Sequence, residues 1–199
     1  MSTETDIKTE RKNTTLWILL GSFIVPMVVA YLYFFFGDRP SVSSNGVLIN
    51  PVVDIETLGL SDESGSLLDR DALTPKWRIY TFVDSNCDAD CQQKLFNMRQ
   101  INVALGKNRQ RLQHVIVHLT SPDSDFAQLI ESEHQQAIKL FAKDESIKAL
   151  ANNPAENTNQ QTIYLVDPLG NIMMKFSADL TAKLILKDIN KLLKISRIG

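Results

Sequence analysis

The chain has 199 residues, of which 44% are apolar and 22% charged, with a formal net charge of -2. That is enough for one packed domain of ordinary size plus a membrane anchor. With no basic block beyond the N-terminus, the composition excludes a typical nucleic-acid-binding protein.

Residues 1–15 form a short polar N-terminus. From Leu16 to Phe36 the sequence reads LWILLGSFIVPMVVAYLYFFF, 21 positions without a charge. At about 1.5 Å per residue this run spans roughly 30 Å, the thickness of a bilayer core. Pro26 and Gly21 are tolerated in such helices, and Trp17, Tyr31 and Tyr33 lie toward the ends, where aromatic rings favour the interface. The run is too long for the apolar part of a signal peptide, and Phe34-Phe35-Phe36-Gly37 is a poor cleavage site. Residues 16–36 are therefore expected to form a single transmembrane helix. Lys8, Arg11 and Lys12 precede it and only Arg39 follows closely, so the N-terminus is expected in the cytoplasm and the rest outside.

Residues 37–51, rich in Ser, Pro, Asn and Gly, read as a linker, and 52–199 as the extracytoplasmic domain. Ser61 to Gly65 marks a turn between short extended pieces. Trp77–Val83 (WRIYTFV) suits a buried strand. A helix follows, with Leu95, Met98, Ile101, Val103 and Leu105 as its apolar stripe and Gly106 as a stop signal. His114–Leu119 is a second strand, and Phe126 to about Leu150 reads as a helix. A polar loop, Asn152 to Gln160, leads to strand Thr162–Val166. The Asp167-Pro168-Leu169-Gly170-Asn171 turn and strand Ile172–Phe176 complete a hairpin. Leu180–Ile195 closes the chain as an amphipathic helix. A βαβ unit followed by an antiparallel hairpin and a last helix predicts an α/β, thioredoxin-like domain: a central mixed sheet flanked by helices.

Chemistry concentrates on the only two cysteines, in Asn86-Cys87-Asp88-Ala89-Asp90-Cys91, where strand passes into helix. A spacing of four puts both sulfurs on one helical face, and modest loosening of the first turn permits a disulfide. The same geometry lets two thiolates hold one soft cation. A helix N-terminus favours a thiolate at Cys87, which makes it the expected attacking sulfur. Asp88 and Asp90 oppose a second negative charge but attract a cation. An inert structural disulfide is the bland alternative. A zinc site lacks two further ligands.

The anchor, Cys87-x-x-x-Cys91 after strand Trp77–Val83, and Ile163-Tyr164-Leu165-Val166-Asp167-Pro168-Leu169-Gly170 together resemble the Sco/SenC family. Ser44 to Pro51 (SNGVLINP), Met98-Arg99-Gln100 and Leu105-Gly106-Lys107 are similar to small Sco-like proteins of bacterial cytochrome c oxidase gene clusters. The resemblance implies a thioredoxin fold anchored in the bacterial inner membrane, its domain in the periplasm. It also implies work in cytochrome c oxidase assembly, by thiol–disulfide exchange or transient holding of Cu(I) at Cys87 and Cys91. The implied partner is a respiratory oxidase subunit or a copper chaperone. The family's third copper ligand is a histidine eight residues before the Asp of the Asp-Pro turn; here that place is Asn159, and an amide is a poor Cu(I) ligand. Thioredoxin-like reductases also carry a proline near Gln161, absent here.

Another imidazole is available in principle. His114 and His118 share a face of their strand. His118 ends that strand, where ligands of open α/β sheets gather, so it is a candidate ligand or proton acceptor for the sulfurs. The competing reading is a half-buried histidine bonded locally. His134 reads as solvated, and Met173 and Met174 as hairpin packing. Two further function classes stand beside oxidase assembly: a general periplasmic thiol–disulfide oxidoreductase, and a non-catalytic scaffold.

Overall fold

A computed structural model of the chain describes residues 6–36, 44–69, 75–143, 162–177 and 179–198. It divides into two units, Met1–Ser43 and Ser44–Gly199. The first is helix α1, Asp6–Phe36, with Pro26 inside it. Its stretch Thr14–Phe36 has a mean hydropathy of 2.2 and is long and apolar enough to cross a membrane.

The second unit is built on one six-stranded mixed sheet. Its strands are β1 (Val47–Asp54), β2 (Trp77–Val83), β3 (Leu112–His118), β4 (Ile138–Phe141), β5 (Ile163–Val166) and β6 (Asn171–Phe176). They lie in the order β1-β6-β5-β2-β3-β4. β2, β3 and β4 are parallel neighbours, whereas β5 pairs antiparallel with β2 and β6, and β1 with β6. The helices are α2 (Ala89–Ala104), α3 (Ser124–Glu133) and α4 (Ala182–Ile195). The layered mixed sheet is the expected thioredoxin-like arrangement.

β2 is buried at every position because it lies inside the sheet with both faces covered. Alternation along it sends Tyr80 and Phe82 to one side, with Val115, Val117, Leu140 and Tyr164. Ile79 goes to the other side, where Met98 and Ile101 of α2 and Ile185 and Ile189 of α4 cover it. A third cluster, at the carboxyl end of β2, joins Val83, Cys87, Leu95, Ile116, Phe126 and Ile130.

Two segments differ from the sequence expectation. Residues 47–51, expected within the linker, are instead part of β1, whose Ile49 is buried. Pro51 is accommodated because β1 is an edge strand. Gly46, just before β1, is required by close approach: a Cβ there would stand 2.6 Å from both Met174 Sδ and Phe176 Cε1. The buried Asp188 of α4 holds this entry, accepting hydrogen bonds from Asn45 N at 2.6 Å and Gly46 N at 2.9 Å. Second, the helix expected from Phe126 to Leu150 ends at Glu133, and β4 follows at Ile138. Ile138 and Leu140 continue the apolar count, but with a spacing of two they serve a strand. Residues 144–150, the Asn152–Gln160 loop, Asn159 and Gln161 lie outside the described residues.

Candidate functional site

The site grows from the β2–α2 junction. After Val83 the chain turns through Asp84, which accepts a hydrogen bond from Ser85 N at 2.8 Å. Thr120, after β3, accepts from Ser85 N at 2.8 Å and donates to Asp84. Asp123 N donates to Ser85 O at 3.2 Å, so the loop before the cysteines is laced to the loop after β3. Asp88 is the N-cap of α2, its carboxylate accepting from Cys91 N at 2.9 Å. Cys87 therefore lies just before the cap, and Cys91 is the third residue of the helix.

The two cysteines form a disulfide, with Cα atoms 5.2 Å apart. Their surroundings differ. Cys87 is 5% exposed, within the cluster of Val83, Leu95, Ile116, Phe126 and Ile130, and Gln92 Nε2 donates to its carbonyl at 3.0 Å. Cys91 is partly exposed and lines a groove of about 430 Å³, together with Asp84, Asp88, Asp90, Lys94 and Asp179. The apolar side of the groove includes Phe82, Met98, Ile163 and Ile185. Lys94, one turn after Cys91, donates to Phe82 O at 3.3 Å. Burial lowers its pKa to about 8, partly offset by the attraction of Asp88.

His118 shares the third cluster's side of the sheet, but its ring stacks on Phe141, with centroids 5.2 Å apart, and meets Phe126 edge-on at 5.8 Å. Burial lowers its pKa, as does Lys139, while Glu63 opposes. Its buried Nδ1 has no hydrogen-bond partner among the described residues. Among those residues no three His, Cys, Asp or Glu side chains gather into a metal-holding group, so His118 is not assembled with Cys87 and Cys91. The described donor set thus offers two sulfurs, bonded to each other, with no histidine or carboxylate gathered beside them into a metal-holding group. It does not fit the three-ligand copper site that the family resemblance implies.

His134, expected in solvent, is buried, with 6% exposure. It closes α3, where its N–H bonds Ile130 O at 2.9 Å, and its ring lies edge-on to His114 at 6.4 Å. His114 shares a 2.9 Å hydrogen bond between Nε2 and Thr81 Oγ1. Burial, then His134 and Lys94, push its pKa down to about 3. Both histidines line a second cavity, of about 560 Å³, with Lys76, Arg99 and Arg109. It lies toward the amino end of β3, away from the cysteines. The larger cavity is therefore not the one beside the disulfide.

Sequence reasoning missed Lys94 and the Asp84–Thr120 clasp. The i, i+3 spacing from Cys91 to Lys94 was a readable signal, because such residues share a helix face. Nothing local pointed to Thr120, which meets Asp84 only through the parallel pairing of β2 with β3.

Known proteins share this architecture. Yeast Sco1 with copper bound matches at 21% identity and a TM-score of 0.54, over 70% of this chain and 94% of that one. BsSco, described as having a disulfide switch and belonging to the Sco family of cytochrome c oxidase assembly proteins, matches at 13% and 0.52, over 75% and 100%. The thioredoxin domain of a thiol-disulfide oxidoreductase from Bacteroides vulgatus matches at 16% and 0.51, over 77% and 99%. At these identities the likeness is one of fold. No curated protein sequence matches the chain. A family model described as transmembrane-like, thioredoxin-like, C-terminal domain matches residues 77–196, more than half of the chain. The chain therefore belongs to that transmembrane-like, thioredoxin-like family, with β2 through α4 forming its C-terminal domain.

Proposed function

We propose that this protein is a membrane-anchored accessory factor of cytochrome c oxidase assembly that works by thiol–disulfide exchange at Cys87 and Cys91. The observation that carries the reading is a disulfide at the mouth of a helix, one of whose sulfurs lines an open groove. A buried structural bond would have no such approach. The Sco-like fold supports the assignment to oxidase assembly. The natural exchange partner is then a cysteine pair on a respiratory oxidase subunit or on a copper chaperone.

The anchor is α1 through residues 16–36. Lys8, Arg11 and Lys12 support a cytoplasmic N-terminus and a periplasmic domain at the inner membrane. That compartment keeps disulfides available as substrates.

Transient holding of Cu(I) as cargo is the second reading, supported by the copper-bound Sco1 neighbour. That no histidine is grouped with the two sulfurs among the described residues favours exchange over holding. The test is redox titration of the full chain in detergent, beside Cu(I) titration of the reduced protein and of its Cys87→Ser variant. A midpoint within the range of dithiol exchangers, about -270 to -120 mV, is expected. A midpoint below about -300 mV marks an inert structural bond and defeats exchange. Stoichiometric Cu(I) retained by the reduced protein and lost in Cys87→Ser replaces exchange with the cargo reading. Oxidase activity unchanged in cells carrying both Cys87→Ala and Cys91→Ala leaves only a scaffold.

A further inference from the structure

Exchange needs a path to the sulfur under attack, along the line of the S–S bond and from the side opposite the leaving sulfur. The two sulfurs differ in that respect. Cys87 is 5% exposed and belongs to the apolar cluster of Val83, Leu95, Ile116, Phe126 and Ile130, against which Cys91 is only partly buried. Cys91 is partly exposed and forms part of the groove wall, whereas Cys87 does not. The helix adds to the contrast. α2 begins at Ala89 behind its Asp88 cap, so Cys91 sits in the first turn and Cys87 lies before it. Within that turn Cys91 stands on the groove, whereas Cys87 is packed into the cluster beneath it.

We propose that Cys91 is the sulfur that joins to and parts from the partner, and that Cys87 is the enclosed sulfur that completes the exchange. The assignment rests on the exchange reading and reverses the order suggested by position in the sequence. When the pair accepts electrons, a thiolate of a partner dithiol attacks Cys91 Sγ. The Cys87–Cys91 bond breaks, its electron pair leaves on Cys87 Sγ, and that sulfur takes up a proton. The partner, now joined to Cys91, turns its second thiolate on its own bonded sulfur and releases Cys91 as a thiolate. Two electrons pass from the partner dithiol to the cysteine pair, and the partner departs as a disulfide. Run backward, the Cys91 thiolate attacks a partner disulfide, and Cys87 closes the pair. Among the described residues, Asp84, Asp88, Asp90 and Asp179 line the groove against the one cation of Lys94. A cysteine flanked by basic residues is therefore the better-matched visitor.

The test uses the full chain in detergent. In single-cysteine variants treated with an aromatic disulfide probe at neutral pH, Cys91 of the Cys87→Ser protein is expected to react at least about tenfold faster than Cys87 of the Cys91→Ser protein. The unsubstituted oxidised protein, exposed to reduced glutathione, quenched with acid and mapped by mass spectrometry, is expected to carry glutathione on Cys91. Glutathione on Cys87, or equal rates in the two variants, overturns the assignment and leaves exchange standing. A pair that neither reagent touches overturns exchange itself, and the assignment with it.

Discussion

At the carboxyl end of β2 a disulfide opens onto a groove ringed by carboxylates, whereas toward the amino end of β3 the half-buried His114 and the buried His134 stand in a cavity with Lys76, Arg99 and Arg109. The second cavity is the larger, yet its histidines are held within the fold. His114 is tied to Thr81, and the His134 backbone closes α3, so their chemistry serves the fold. The groove is lined by Cys91, one end of the disulfide that the proposed exchange would use. A constellation of chemically able residues is thus a poor guide to function until its hydrogen bonds and its access are known.

The sharpest way to break this contrast is to disable each end in turn. Cys91→Ser is expected to lower the rate of exchange with a small peptide disulfide by about a hundredfold or more, as loss of a nucleophile does. His134→Ala should leave that rate within about twofold. A comparable loss in both proteins would show that the two ends act together.

Acid should act at the histidine end. His114 has a folded pKa of about 3 against an ordinary 6.5, so between those values the unfolded chain binds the extra proton. The stability this neutral ring provides is whole above pH 6.5 and is lost as pH falls toward 3. The slope approaches about 1.4 kcal/mol per pH unit, or of order 2–3 kcal/mol between pH 6.5 and 4.5. Denaturant midpoints at several pH values should show it, and His114→Gln should flatten the curve. An equally steep curve in that variant would move the acid sensitivity elsewhere.

Reducing the disulfide should cost about 2 kcal/mol at most, because it closes a loop of only five residues. Thermal unfolding of oxidised and reduced protein reads this directly. A much larger loss would make the bond a structural staple and erase the difference between the two ends.

The smallest effect belongs to Lys94, whose amine carries a burial cost while charged. Lys94→Met is expected to stabilise the domain by about 1 kcal/mol at pH 7. The wild-type protein recovers that difference as pH rises from about 8 toward 10.5, because the unfolded chain holds the proton longer. A gain that persists unchanged at pH 10 would reflect packing and not charge.

The sequence made β2, α2, β5, β6 and α4 legible because each carries its own signal: a buried run, an apolar stripe, or the Asp-Pro-Leu-Gly turn. β1 was hidden because Pro51 and a polar surround look like linker, and its strand state depends on β6, more than a hundred residues away. β4 was hidden because Ile138 and Leu140 extend a helical count that no glycine or proline interrupts. The cysteine pair was readable, but not which sulfur is enclosed. That depends on Phe126 and Ile130 of α3 closing over Cys87, a packing fact with no local trace. His134 was misread for the same reason.

The pairing of β1 with β6 has a consequence for how the domain comes into being. Of the six strands of the sheet β1 leaves the ribosome first, yet its neighbour β6 is the last of them to be made, and the carboxylate that clasps its entry comes later still, from Asp188. Until β6 has been made, Val47–Asp54 lacks its sheet partner. Such high contact order makes folding slow and leaves an open strand edge exposed to the wrong partner. The nascent chain should therefore depend on a holding chaperone until α4 has emerged.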